Sequence, residues 1–249
     1  MNSKLLLAAA AVLALSSGMA QAAPSAAIVA AVADKGRPEA DTKRDADRKP
    51  AEMLEFAGVK PGQTVADFIP GGGYFTRIFA KAVGPKGKVL AITNPPPANS
   101  PTPPAILGIA ADPQYGNITV VSTGIGSFKL PEPVDVLWTS QNYHDLYLTR
   151  FSLDVPAVVK EIYDAVKPGG VFIVLDHRAA DGAPVAETAN TLHRIDPAAV
   201  RKTVEAAGFK YEGESKLLVN AADDHTKGVF DPALRGHTDQ FILKFRKPK

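Results

Sequence analysis

Three clusters of residues carry side chains and backbone suited to chemistry. The first is VADFIPGGGYFTRIF, residues 65–79, where an apolar run ends in Asp67 and is followed by Gly71, Gly72 and Gly73. Consecutive glycines let the backbone turn sharply and approach a ligand without interference from a Cβ. A helix starting just after them presents unpaired N–H groups to that ligand. The second is Ser140-Gln141-Asn142-Tyr143-His144-Asp145, polar residues that follow the apolar VDVLWT. His144 is the one imidazole there, and it titrates near neutrality, so it is the candidate general base. The third is Asp176-His177, at the end of another apolar run. Asp145, Asp176, Asp223, Asp224, His225 and His237 show no metal-ligand spacing, so no metal site is expected from the sequence. No Gly-x-Ser-x-Gly elbow occurs, which disfavours a serine hydrolase of that type. A hydrolase or isomerase using His144 and Asp176 is an alternative reading of these residues.

The elements that must position these clusters alternate between strand and helix. Strands are predicted at 64–69, 88–93, 118–122, 134–140, 171–176, 211–218 and 240–246. Helices are predicted at 74–83, 152–166 and 197–207, the last capped by Asp196. Such alternation marks a single α/β domain with a mostly parallel, seven-stranded sheet, its last strand antiparallel. All three clusters then fall at the carboxyl ends of strands, the edge where open α/β sheets bind ligands. Lys167-Pro168-Gly169-Gly170 reads as a turn between a helix and the fifth strand. Residues 94–117 (PPPANSPTPP, then ADPQYGN) read as a proline-rich insert without regular structure: a solvated loop, or a lid over the ligand crevice. Trp138 and Phe172 are expected in the core rather than against a ligand.

The chain has 249 residues, 28 Lys+Arg, 26 Asp+Glu and no cysteine. A net charge of +2 gives no polyanion-binding signature, so nucleic acid is not an expected partner. The absence of Cys removes thiolate ligands, a Cys nucleophile and disulfides. Residues 1–22, MNSKLLLAAAAVLALSSGMAQA, have a positive n-region at Lys4, an apolar run from Leu5 to Leu15 and a small-residue Ala20-Gln21-Ala22 site. They read as a Sec-type signal peptide cleaved after Ala22, predicting a periplasmic or secreted mature protein without a membrane span. Residues 23–58 read as an N-terminal helical cap, with a short helix opened by Pro50 and closed by Gly58. The charged stretch 37–49 is either a solvated face or a lid whose arginine reaches a ligand carboxylate. Residues 59–249 form the α/β domain. Nothing in the pattern sets an oligomeric state.

The order of glycine turn, Asp-Val-Leu strand, helix, Lys-Pro-Gly-Gly and strand resembles the class I S-adenosylmethionine-dependent methyltransferases. The closest likeness is a group of predicted bacterial methyltransferases with a Pro-Gly-Gly-Gly-Tyr loop, several of them exported. The resemblance implies a Rossmann-like fold and S-adenosylmethionine as cofactor. It implies cofactor contacts from Asp67, Pro70, Gly71, Gly73, Tyr74, Thr93, Asn94, Ser140, Gln141 and Asn142, with His144 and Asp176 on the acceptor side. Ile69 stands where the family usually has its first glycine. Thr93 and Asn94 stand where it has a ribose-binding acid, and residues 122–128 hold no adenine-contacting acid. Asn142 is not followed by Pro-Pro, which argues against a nucleobase amino group as acceptor. The implied activity is methyl transfer to a small molecule. The alternative is an exported binding module that keeps the fold and has lost catalysis.

Overall fold

The computed structural model describes residues 23–96 and 102–249. The proposed signal peptide, residues 1–22, lies outside them, as does part of the proline-rich insert. Within them, α1 (Ala26–Val32), α2 (Glu39–Thr42), α3 (Asp45–Arg48) and α4 (Pro50–Ala57) precede β1 (Thr64–Phe68). Then come α5 (Tyr74–Val83), β2 (Lys88–Ile92), α6 (Ala105–Ala111), β3 (Ile118–Val121) and β4 (Val134–Ser140). The chain ends with α7 (Val155–Ala165), β5 (Val166–His177), α8 (Val185–Leu192), α9 (Pro197–Ala206), β6 (Lys210–Ser215) and β7 (Gln240–Arg246).

The strands form one seven-stranded sheet of order β3-β2-β1-β4-β5-β7-β6. β1 to β5 pair in parallel, and β7 runs antiparallel to both β5 and β6. The strand order reverses between β1 and β4, so the crevice at their carboxyl ends is the topological switch point. β1, Thr-Val-Ala-Asp-Phe, is buried at all five positions, as a strand covered on both faces must be. One core layer packs α1, α4 and α5 on the sheet, with Trp138 fully buried between Phe75 and Phe79 at ring-centroid distances of 4.8 and 5.5 Å. The other packs α7 and α9 on the opposite face, around Phe172, Phe209 and Phe245. Asp154 and Asp196 cap α7 and α9 by accepting from the N–H groups of Ala157 and Ala198 at 3.1 and 2.8 Å.

Two sequence expectations are corrected. Lys167–Gly170 is not a free turn. It lies inside β5 as an irregularity: Val134 pairs with Val166, and Val136 with Val171. Gly169 takes φ +79° there, and a Cβ on Gly170 would lie 2.9 Å from the Asp135 carbonyl oxygen, so the glycines admit the bulge. The insert is not wholly irregular either. Pro104 precedes α6, and Ile106 and Ile109 on that helix join the core. Its prolines delimit a helix rather than prevent one. Among the described residues, no helix is long and apolar enough to cross a membrane.

Candidate functional site

The crevice at the β1/β4 switch point holds a cavity of about 290 Å³. It is lined by Asp67, Ile69, Pro70, Gly71, Gly72, Tyr74 and Phe75 from the first turn, and by Ser140, Gln141 and Asn142 after β4. Asp41, Arg44 and Arg48 close it from the N-terminal segment. Most residues expected to meet a cofactor are thus brought together. Gly73, Thr93 and Asn94 are not in the cavity lining.

The charged stretch 37–49 folds over the glycine turn rather than into solvent. The Arg37 side chain is fully buried and donates two hydrogen bonds to Asp45, at 2.7 and 2.8 Å. The Tyr74 hydroxyl donates to the same carboxylate at 2.6 Å, and Arg77 pairs with Asp41 at 2.9 Å. The Arg77–Asp41 ion pair and the Tyr74–Asp45 hydrogen bond fasten α2 and α3 to α5. They leave Arg48 facing the cavity, its guanidinium 4.6 Å from the Tyr74 ring centroid and hydrogen-bonded to the Gln141 side-chain oxygen. No carboxylate among the described residues forms an ion pair with it. Burial and the neighbouring Arg44 charge lower its pKa to about 10.

Opposite Arg48 stands Asp67, buried at the end of β1. Thr76 donates to it at 2.6 Å. Burial pushes its pKa up to about 7, against the partial relief of that hydrogen bond and of the Arg48 charge. The native state therefore holds a proton that the unfolded chain has lost above about pH 4. The stability that Asp67 contributes is present at acid pH and is lost as pH rises through 7. Asp67→Asn is expected to be more stable than the parent at pH 8, on the order of 2 kcal/mol, with the gap closing toward pH 4. Urea unfolding at both pH values measures it, and an equal gap at the two would contradict the assignment.

The other expected contacts divide by role. The Ser140 hydroxyl oxygen is buried on the cavity wall, without a hydrogen-bond partner among the described residues. Asn142 is a clamp: it donates to the Ile69 carbonyl at 2.8 Å and accepts from the Thr139 hydroxyl, tying the end of β4 to the end of β1. Asn94 accepts from the Ile125 N–H at 2.9 Å, which commits its oxygen to the loop after β3. Gly71 and Gly73 take φ +55° and +76°, the left-handed region that glycine occupies freely. Ile69 is also left-handed, at φ +59°. A β-branched residue is strained there, by roughly 1–2 kcal/mol.

A second cluster lies further along the same sheet edge. His144 donates its backbone N–H to Asp176 at 2.7 Å, and its Nδ1 faces the same carboxylate at 2.8 Å. Asp176 is fully buried and also accepts from the His177 N–H at 2.8 Å. Burial raises the Asp176 pKa, but the His144 imidazole and these hydrogen bonds more than offset that and hold it below the usual range. Burial in turn disfavours His144 imidazolium, and Asp176 outweighs it, so His144 lies above its ordinary value. His177 turns away to the Thr238 hydroxyl at 2.7 Å, and burial lowers its pKa to about 4. Sequence reasoning paired His144 with Asp176 and offered an arginine of the stretch 37–49 as a lid residue without singling out Arg48; it missed His193 as the neighbour of His144.

No family model matches the chain. It is 30% identical over 196 residues to the ubiquinone/menaquinone biosynthesis C-methyltransferase UbiE of Hydrogenovibrio crunogenus, covering 77% of this chain and 66% of that protein. It is 28% identical over 202 residues to the corresponding protein of Ectopseudomonas mendocina, covering 77% and 65%. The chain thus spans just under two thirds of the length of these curated relatives. A SAM-dependent methyltransferase from Aquifex aeolicus superposes with a TM-score of 0.57 at 21% identity, over 85% of this chain and 99% of that one. With its strand order and its glycine turn at the switch point, the chain has the class I S-adenosylmethionine-dependent methyltransferase fold, and in sequence it is similar to the UbiE C-methyltransferases.

Proposed function

We propose that this protein binds S-adenosylmethionine in the crevice at the β1/β4 switch point and transfers its methyl group to a small molecule. The observation that carries the reading is the charge arrangement of the cavity. A half-buried arginine that forms no ion pair with a carboxylate among the described residues, Arg48, and a buried carboxyl, Asp67, line one cavity beside a glycine turn. The methionine end of the cofactor carries a carboxylate and an ammonium, and the two side chains complement them. Methyl transfer from a sulfonium is an in-line displacement, so holding the two reactants in register supplies most of the catalysis. His144, oriented by Asp176, is the group that would take a proton from the acceptor. Residues 1–22 supply the basis for proposing export to the periplasm.

Calorimetric titration with S-adenosylmethionine and S-adenosylhomocysteine tests the proposal. A dissociation constant of roughly 1–100 μM, about −8 to −5.5 kcal/mol, is expected. No heat and no thermal shift at millimolar ligand would overturn it.

A further inference from the structure

The atoms that face the outer nitrogen of His144 form a constellation the methyl-transfer reading does not use. His144 Nε2 lies 3.3 Å from His193 Nδ1 and 3.4 Å from Asp145 Oδ1, and the last two are 3.9 Å apart. The three residues come from two separate parts of the chain. His144 and Asp145 begin the helical turn after β4, and His193 ends α8 in a left-handed conformation at φ +55°. Asn190 docks α8 there by donating to the Tyr147 carbonyl at 3.3 Å and accepting from the Thr149 N–H and hydroxyl just beyond the turn, at 3.2 and 3.0 Å.

Four-coordinate zinc with bonds of about 2.0–2.1 Å spaces its ligand atoms about 3.3–3.4 Å apart. Two of the three separations match that edge. A point equidistant from all three atoms lies about 2.1 Å from each, within the range of zinc–nitrogen and zinc–oxygen bonds. The outer shell is present as well. His144 presents Nδ1 to the buried Asp176, a contact that leaves Nε2 with its lone pair outward and raises its basicity as a ligand. The side chains of His193 and Asp145 keep 24% and 26% of their exposure, so the cluster opens to solvent on one side. Two imidazoles and one carboxylate select a transition ion over magnesium or calcium, which prefer oxygen ligands.

We infer that His144 Nε2, His193 Nδ1 and Asp145 Oδ1 bind a divalent transition ion of the zinc class, with Asp176 orienting His144 and one coordination position left to an exogenous oxygen. Joined to the proposed methyl transfer, on which this extension rests, the site selects acceptors with a hydroxyl group. The ion lowers the hydroxyl pKa, and its proton passes to water. The oxygen then forms a bond to the sulfonium methyl carbon. The carbon–sulfur bond breaks with its electron pair going to sulfur, leaving a methyl ether and a thioether. His144 is in that state a ligand rather than the base.

The test is calorimetric titration of the full chain, untagged and stripped with chelator, with zinc chloride alone. One ion per chain is expected. His193→Ala and Asp145→Asn, both at partly exposed positions and so compatible with folding, are expected to weaken binding at least about 100-fold. Asp176→Asn should weaken it about 10–100-fold. His225→Ala, at a histidine paired with Asp239 away from the cluster, should bind as the parent does. No stoichiometric binding, or binding that survives His193→Ala with the parent's affinity, would mean that the cluster is a hydrogen-bonded network only. S-adenosylhomocysteine is titrated in parallel. Zinc binding without nucleoside binding keeps the metal site and overturns the methyl-transfer reading, and the reverse result overturns the metal site alone.

Discussion

Gly71→Val is expected to lower the affinity for S-adenosylhomocysteine at least about 100-fold, near 2.7 kcal/mol, while the protein still folds. Gly71 is exposed on the cavity wall at φ +55°, and a Cβ built there meets no protein atom within 4 Å. The cost to folding is therefore the backbone strain of a left-handed β-branched residue, about 1–2 kcal/mol. In a domain of this size that shifts the melting temperature by roughly 2–8 °C. The cost to binding is larger, because the new side chain lies where the ligand must approach the backbone. Gly73→Val separates the two effects. Its Cβ would lie 2.3 Å from Ile109 Cδ1 on α6, so this variant must disturb the packing of the insert as well. Calorimetry together with thermal melts reads both quantities. Parent-like affinity in Gly71→Val would remove the glycine turn as the cofactor's seat, and the proposed function with it.

How far the sequence disclosed this arrangement depends on the range of the interaction. Local signals were legible. β1 and α5 follow from an apolar run, three glycines and a helical pattern that starts at Tyr74. The cap at Asp196 acts within two residues of itself. Two local signals misled. Lys-Pro-Gly-Gly has turn composition, yet the pairing of β5 with β4 and β7 carries the strand through it. Proline density in the insert hid α6, whose buried Ile106 and Ile109 are anchored by the sheet layer rather than by helix propensity. Non-local pairings between particular residues had no sequence signal, although the charge of 37–49 did suggest a lid arginine. Arg48 and Gln141 are 93 positions apart, and His144 and His193 are 49 apart. Only the packing of α3 over the crevice and of α8 on the turn after β4 joins them. The left-handed backbone at Ile69 was equally hidden, because an isoleucine gives no reason to expect it.

Arg48→Met carries the strongest expectation for ligand discrimination. The guanidinium sits over the Tyr74 ring, 4.6 Å from its centroid, with Gln141 as its hydrogen-bond acceptor and Arg44 repelling it. A half-buried cation in that setting lowers the stability of the free protein, and a methionine of similar reach fills the space without charge. The variant should therefore melt at the same temperature as the parent or higher. Its affinity for S-adenosylmethionine should fall roughly 10–150-fold, the loss of a charge-assisted hydrogen bond worth about 1.5–3 kcal/mol. Methylthioadenosine, which lacks the amino-acid carboxylate, should bind both proteins alike. Arg44→Met, at an exposed position on the same rim, should change either affinity little. The opposite signs matter: a residue that only holds α3 in place would lose stability and weaken both ligands together. Equal losses for the two ligands would assign Arg48 to the structure of the cap, and selective loss for the one bearing the carboxylate assigns it to the cofactor.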